Sequence, residues 1–415
     1  MNSKSNLNLK LVSEAQLSSA EFKQEAYDIY KELRTCHPVY PLSSGEQSQC
    51  WLITRYEDAV SLLKDPKLMK NIENVFSKQE EVDVPFSLDN RKFLRNHMLN
   101  SDPPNHSRLR LLVQKAFTPQ MILQLKSQIQ HIADTLLNKV EHRHSMNLVK
   151  DYAFPLPIMV ISEMLGIPHE DQNKFRVWSQ AIIETPHTSE DLQQNKQKLG
   201  EFVEYIQHLV DKKRESLDND LISALIQAES EGTKLNVLEL YSTISLLIVA
   251  GHETTVNLIT NMTLALLEHP DQLQMLRQNF DLIELAIEEA LRFYSPVEIT
   301  TLRWAAEPFT MHGQNIQPKD RIIISLASSN RDEKFFQNAD VFDITRKNNR
   351  HIAFGHGSHF CLGAPLARLE AKIAITTLLQ RFPNIYLQDK REQIKWNENY
   401  LMRSLEELSL KFQQV

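Results

Sequence analysis

From about Asn236 to His269 the chain keeps helical spacing without interruption, and Pro270 closes the stretch. This predicts one helix of roughly 30 residues and ~45 Å, enough to cross a whole protein. Asn236 with Glu239 forms a capping-box pattern at its start. Its most apolar run, Ile244 to Gly251, is far too short to span a bilayer and is followed by His252 and Glu253. The centre, Val249-Ala-Gly-His-Glu-Thr-Thr255, is unusual for a core helix. Gly251 costs ~1 kcal/mol relative to alanine, and Glu253 and Thr254 set polar groups among apolar ones. Two readings stand: a threonine bonding back to a carbonyl with a glutamate reaching solvent, or a local groove over a cofactor with an acid and an alcohol placed to relay protons.

Helical patterns also cover about 56 to 64, 105 to 116, 119 to 140, 155 to 165, 170 to 183 and 190 to 214. Within Asp281 to Arg292, Asp281 and Glu284 predict a cap, and Ile283, Ile287, Leu291 and Tyr294 an apolar stripe. Trp51 to Thr54 reads as a short strand. Further strands gather late, at Phe309 to Met311, before a His312-Gly313 turn, and at Ile322 to Leu326 after Pro318-Lys-Asp. No repeat, low-complexity tract or Gly/Ser linker divides the chain. The expected fold class is mainly α with small β-sheets, with residues 1–415 as a single domain.

One cysteine stands apart. Phe354-Gly-His-Gly-Ser-His-Phe-Cys361-Leu-Gly363 places it in a glycine-rich loop before a helical pattern carried by Leu362, Leu366, Leu369 and Ile373, with Pro365 suited to a first turn. Glycines at 355, 357 and 363 let the backbone bend around the sulfur. The helix dipole and the loop amides both favour a thiolate. Such a thiolate serves as nucleophile, zinc ligand or axial ligand of haem iron. His351, His356 and His359 invite zinc, but no second ligand pair at short spacing appears. Phe354, Phe360 and Leu362 suit a flat hydrophobic cofactor better than an acyl-transfer site. Cys36 and Cys50 are distant and give no disulfide framework.

Two charge patterns accompany the loop. His106 and Arg110 stand one helical turn apart, facing the same way, as paired donors for carboxylates should. Glu289 and Arg292, read alone, form a surface ion pair worth a few tenths of a kcal/mol. Arg108 reads as part of a solvated basic face.

Phe354, Gly357, His359, Cys361 and Gly363 match, residue for residue, the haem-binding loop Phe-x-x-Gly-x-His-x-Cys-x-Gly of the cytochrome P450 family, which the chain resembles. Ala250-Gly251-His252-Glu253-Thr254 is similar to that family's oxygen-activation motif. Glu289 and Arg292 match its Glu-x-x-Arg pair, and Asp102-Pro-Pro-Asn-His106-Ser-Arg-Leu-Arg110 resembles its Asp-Pro-Pro-x-His-x-x-x-Arg helix. The four motifs follow the family's order from residue 102 to 363.

The resemblance implies the P450 fold, with the long helix crossing over one haem b held by Cys361 as proximal metal ligand. Thiolate ligation pushes electron density onto iron and favours O–O cleavage. Phe354, Gly355, Gly363 and Ala250 would contact the haem, and His106, Arg110 and His359 its propionates. Arg303 would add another contact, although its offset from Ser295-Pro296-Val297 is one residue longer than in many relatives. Thr254 and Glu253 would be catalytic, delivering protons. Glu289, Arg292 and Arg346 would form a scaffold. Ala339 replaces a proline common in relatives, which would loosen that turn. The implied reaction is R–H + O₂ + two electrons + two protons giving R–OH + water.

No flavin or nucleotide module is recognisable, so electrons are expected from a ferredoxin or flavodoxin and its NAD(P)H-dependent reductase. Arg108, Lys115, Arg368 and Lys372 are candidates for its docking patch. Leu94, Met98, Leu246, Val249, Ala250, Val297, Ile299 and Leu401 would line an apolar pocket. The overall pattern looks most like soluble Bacillus-type hydroxylases of polyketide and macrolide biosynthesis, so a polyketide or similar secondary metabolite, free or carrier-bound, is the expected substrate. A fatty-acid or terpenoid hydroxylase is the alternative. A peroxide-driven enzyme would not need Thr254 and Glu253, and a haem gas sensor would normally bring an output module. A net charge of −7 argues against nucleic acid. The N-terminal MNSKSNLNLKLVSEAQ has no apolar signal or membrane anchor, so the cytoplasm is the expected location.

Overall fold

The computed structural model describes residues 12–43, 48–76, 95–171, 174–175, 177–178, 189–227 and 235–413. The helices that build the site are α1 (Ala20–Cys36), α2 (Tyr56–Leu62), α3 (Asn105–Ala116), α4 (Lys126–Asn138), α5 (Pro155–Leu165), α6 (Val237–Glu268), α7 (Ile283–Phe293) and α8 (Ala364–Arg381). The long helix is α6, and both bonds of its capping box form: Glu239 N donates to Asn236 Oδ1 and Asn236 N to Glu239 Oε2, each at 2.9 Å. Helices α5, α7 and α8 pack along α6, and α4 packs on α5 and α8. One large apolar cluster joins all five, with Ile161, Ile244, Ile259, Met262, Ile287, Leu366 and Ile373 in its interior. The mainly α expectation holds.

The strands are short. β1 (Val39–Leu42), β2 (Cys50–Ile53), β3 (Leu68–Met69), β4 (Ser145–Asn147), β5 (Arg303–Ala305), β6 (Phe309–Met311), β7 (Gln314–Ile316), β8 (Arg321–Ile324), β9 (Tyr386–Leu387) and β10 (Ser409–Lys411) form three sheets. The largest has the order β1-β2-β8-β5-β3. Strands β2 and β8 run parallel, pairing Trp51 with Ile322 and Ile53 with Ile324, so a segment near residue 50 is fixed by one near residue 320. A buried charge cluster ties the same distant parts. Lys23 Nζ on α1 donates to Glu298 at 3.0 Å, Tyr30 Oη donates to it at 2.8 Å, and Arg403 Nη1 lies 3.4 Å from it.

Two local expectations change, and two more lie outside the described residues. The 119–140 pattern splits into Pro119–Gln124, capped by Thr118, and α4, with the break at Leu125. Asp281 and Glu284 do not cap α7: Asn279 accepts from Asp281 N at 3.0 Å, and a short 3-10 turn, Phe280–Leu282, leads into the helix. The expected helix at 170–183 and the substrate candidate Leu94 fall largely or wholly outside the described residues. Among the described residues, no helix is long and apolar enough to cross a membrane.

Candidate active site

Gly355 and Gly357 both adopt φ of +74°, a conformation that favours glycine. They turn the chain so that Cys361 N donates to Phe354 O at 2.9 Å, closing the loop before α8. A Cβ on Gly357 would lie 2.8 Å from the Leu63 carbonyl oxygen, just past the end of α2. Gly357→Ala is therefore expected to cost about 2 kcal/mol in chemical denaturation, from left-handed strain plus that clash. Gly363 differs from the expectation. Its φ is −80°, and a Cβ there would meet only Cys361 Sγ at an ordinary 3.9 Å. Burial also changes the reading of the sulfur. It pushes the Cys361 thiol above its usual pKa, outweighing the N–H groups of Gly363 and Ala364 and the charges of Arg110 and Arg368, which pull it down. A free thiolate is thus disfavoured, whereas a bound cation would remove the penalty of burying the charge.

Beside the loop lies a cluster of basic groups. The rings of His106 on α3 and His359 are 4.2 Å apart. Among the described residues, neither buried ring nitrogen of His106 has a hydrogen-bond partner. Arg303, on β5, is buried and makes one long bond, 3.4 Å, to Thr301 O. Burial, then Lys70, His106, Arg303 and Arg110, push His359 down to about 2, and burial lowers Arg303 to about 10. Asp102 cannot neutralise the cluster alone. Its oxygens accept from Lys70 N at 2.8 Å, and from Asn71 N and Asn74 Nδ2 at 2.9 Å. Orphaned imidazole nitrogens among uncompensated cations call for an anionic ligand, and the two carboxylates of a haem b fit that demand.

Lys70 is a member of this cluster that sequence reasoning missed. It is buried, bonds Thr301 Oγ1, and is held well below the usual lysine range by burial and by Arg303. Nothing local marks it. It arrives through the β3–β5 pairing, in which Leu68 opposes Ala305 and Met69 opposes Trp304, so the next position faces Arg303.

The middle of α6 is less buried than the turns flanking it. Residues on either side are buried, but Leu246, Val249, Glu253 and Thr254 are half-buried and Ala250 is exposed. Their spacing puts all five on one helical stripe. Thr254 Oγ1 donates to Ala250 O at 2.7 Å, which is the back-bonded threonine of the first reading. Gly251 faces away from any groove. A Cβ there would approach Ile161 Cδ1 on α5 at 3.3 Å, so this glycine permits close helix packing. Backbone bonds from Glu298 N (2.8 Å) and Ile299 N (3.4 Å) to Leu401 O bring Val297, Ile299 and Leu401 together. Ile299 is only 1% exposed and belongs to the core near α1, while Met98 sits partly buried against the separate large cluster around α6.

Glu289 and Arg292 are not on the surface. Both side chains are fully buried and doubly bonded, at 2.8 Å each. Arg346 Nε donates to Glu289 at 3.0 Å. Arg292 also donates to the carbonyls of Asn330, Ala339 and Val341, so the turn at Ala339 is pinned despite lacking proline. The expected basic docking patch is largely neutralised. Arg108 pairs with Glu239 at the start of α6, Arg368 with Glu288, and Lys372 with Glu284; Lys115 is exposed on α3.

Comparison with known proteins agrees with this architecture. The family model described as cytochrome P450 matches residues 23–412. A cytochrome P450 of Bacillus subtilis is 66% identical over 99% of this chain and 100% of its own length. Among solved structures, the Bacillus subtilis bacillaene polyketide synthase P450 PksS superposes with a TM-score of 0.89 at 41% identity, covering 96% of this chain and 99% of that one. P450BioI in complex with a hexadec-9Z-enoic acid-ligated acyl carrier protein gives 0.85 at 37% identity, covering 95% and 100%. With the family model spanning nearly the whole chain, this protein belongs to the cytochrome P450 family, whose members are monooxygenases built around a protoporphyrin IX haem iron.

Proposed function

We propose that this P450 hydroxylates a polyketide or a related lipid-like secondary metabolite, working as one domain with Cys361 as the iron ligand. The observation that carries the site is the pair of orphaned His106 ring nitrogens in a cationic cluster beside the cysteine loop. His106, Arg110, Arg303, His359 and Lys70 would hold the haem propionates, Phe354, Gly355 and Gly363 would contact the ring beside the cysteine loop, and Ala250 would contact it from α6. When bound, the haem supplies the oxidising chemistry from O₂ and two electrons. Thr254 commits its own proton to Ala250 O, so its oxygen presents lone pairs to an incoming donor. Glu253, one residue earlier on the same stripe, holds and passes protons there. Leu246 and Val249 exclude water beside the substrate, with Met98, Val297 and Leu401 completing the apolar lining. Ile299 supports the pocket from the core.

The electrons come from a separate carrier, a ferredoxin or flavodoxin served by an NAD(P)H-dependent reductase. The polyketide reading is supported by the likeness to PksS. A fatty-acyl substrate is the second reading, supported by the likeness to the carrier-bound P450BioI complex and by the apolar stripe on α6. Haem-loaded protein titrated with free polyketide acids, long-chain fatty acids and the same acyl groups on a carrier protein separates these. A micromolar spectral shift with polyketides, followed by hydroxylated product, is expected. Tighter binding and turnover with fatty acids would displace the polyketide proposal.

A further inference from the structure

The motifs account for Glu289, but the preceding residue makes a second, separate clamp. On α7, Glu288 Oε1 accepts from Arg368 Nε at 2.6 Å and its Oε2 from Arg368 Nη2 at 2.8 Å. Oε2 also meets His351 Nε2 at 3.1 Å. The imidazole tautomer follows from its other side. Ala353 N donates to His351 Nδ1 at 3.2 Å, so Nδ1 is the acceptor and Nε2 carries the proton given to Glu288. The Arg368 guanidinium in turn lies over the Phe354 ring, 4.6 Å from its centroid.

One carboxylate thus grips both sides of the cysteine loop. His351 stands three residues before Phe354, and Arg368 lies on α8, seven residues beyond Cys361. Glu289 does a different job, tying Arg292, Arg346, Asp343 N and Asn349 in the preceding segment. Arg368 is also the second arginine, after Arg110, whose charge is felt at the sulfur. Whether Glu288 cancels that charge decides what field the sulfur experiences.

We infer that Glu288 is a positioning residue that sets the haem reduction potential: it seats Arg368 on Phe354, fixes the loop through His351, and neutralises the arginine nearest the sulfur on α8. The inference rests on Cys361 ligating the iron, and the test separates the two. Wild-type protein is first loaded with haem, reduced and exposed to carbon monoxide. Absence of the thiolate signature overturns the ligation reading and this inference with it.

Given that signature, midpoint potentials are measured by mediated spectroelectrochemical titration. Glu288→Gln keeps the size and one acceptor but exposes the Arg368 charge, which favours the reduced, more negative centre. The ferric/ferrous equilibrium is expected to move toward ferrous by about threefold. Arg368→Gln leaves the Glu288 charge uncancelled and is expected to move it the other way by a similar factor. The double variant should return close to the wild-type value. Loosening of the loop alone would shift both single variants in one direction, so same-sign shifts, or no shift in either, would overturn the inference. Should Glu288→Gln fail to take up haem, the sign of the Arg368→Gln shift decides alone: toward ferric supports the inference, and zero or toward ferrous ends it.

Discussion

Cys361→Ser is expected to abolish the red-shifted Soret band of the reduced carbonyl adduct and to lower product formation by at least ~10³-fold, about 4 kcal/mol of barrier. Serine offers an oxygen of similar reach but not the electron donation of a thiolate. The protein itself should stay folded. The Cys361 N–H bond to Phe354 O does not involve the side chain, and the residue lies outside the three apolar clusters. A difference spectrum paired with far-UV circular dichroism reads both outcomes. Retention of the band in folded Cys361→Ser protein would show that another group ligates the iron.

Arg292→Ala is the second large effect, and it acts on stability. Removing this guanidinium leaves Glu289 charged, fully buried and partly stripped of donors, and it frees three backbone carbonyls that Arg292 had satisfied. Breaking a buried pair from one side costs about 3–5 kcal/mol, a large share of the stability of an ordinary protein. Urea denaturation should show a loss in that range, accompanied by poor haem retention, because the 330–349 segment leads directly into the cysteine loop. Arg292→Lys should recover only a small part. A lysine cannot donate to two carboxylate oxygens and three carbonyls at once. A loss under 1 kcal/mol would return the pair to the modest surface role that its i,i+3 spacing alone suggests.

That pair illustrates where sequence reasoning reaches its limit. The apolar stripe of α7 is visible in the spacing of Ile283, Ile287, Leu291 and Tyr294, all buried as expected. The opposite face reads as solvated because its cover is an irregular segment from residue 330 to 349, which has no periodicity to detect. The long helix and its capping box were legible because both are written in adjacent residues. The packing role of Gly251 is not legible for the opposite reason: the side chain that a Cβ there would meet, Ile161, lies on a helix 90 positions earlier. Arg108 reads as part of a solvated face because its partner Glu239 lies 131 positions later. Lys70 carried no signal at all, and only strand register places it beside Arg303. The chemistry-bearing loop was readable as a motif, but the balance at its sulfur was not. Helix dipole and loop amides are local, whereas burial belongs to the assembled fold.

The Lys23–Glu298–Arg403 cluster and the parallel β2–β8 pairing bear on how the polypeptide reaches its final form. The amino-terminal helix leaves the ribosome with a lysine whose buried counter-charge follows 275 residues later, and with a strand whose neighbour is made later still. At about 5–20 residues per second, roughly 15 to 55 seconds separate the two during synthesis. Closure of this region is consequently a late, high-contact-order event, and the helical portion around α5 and α6 can consolidate while the amino-terminal section waits for its partners.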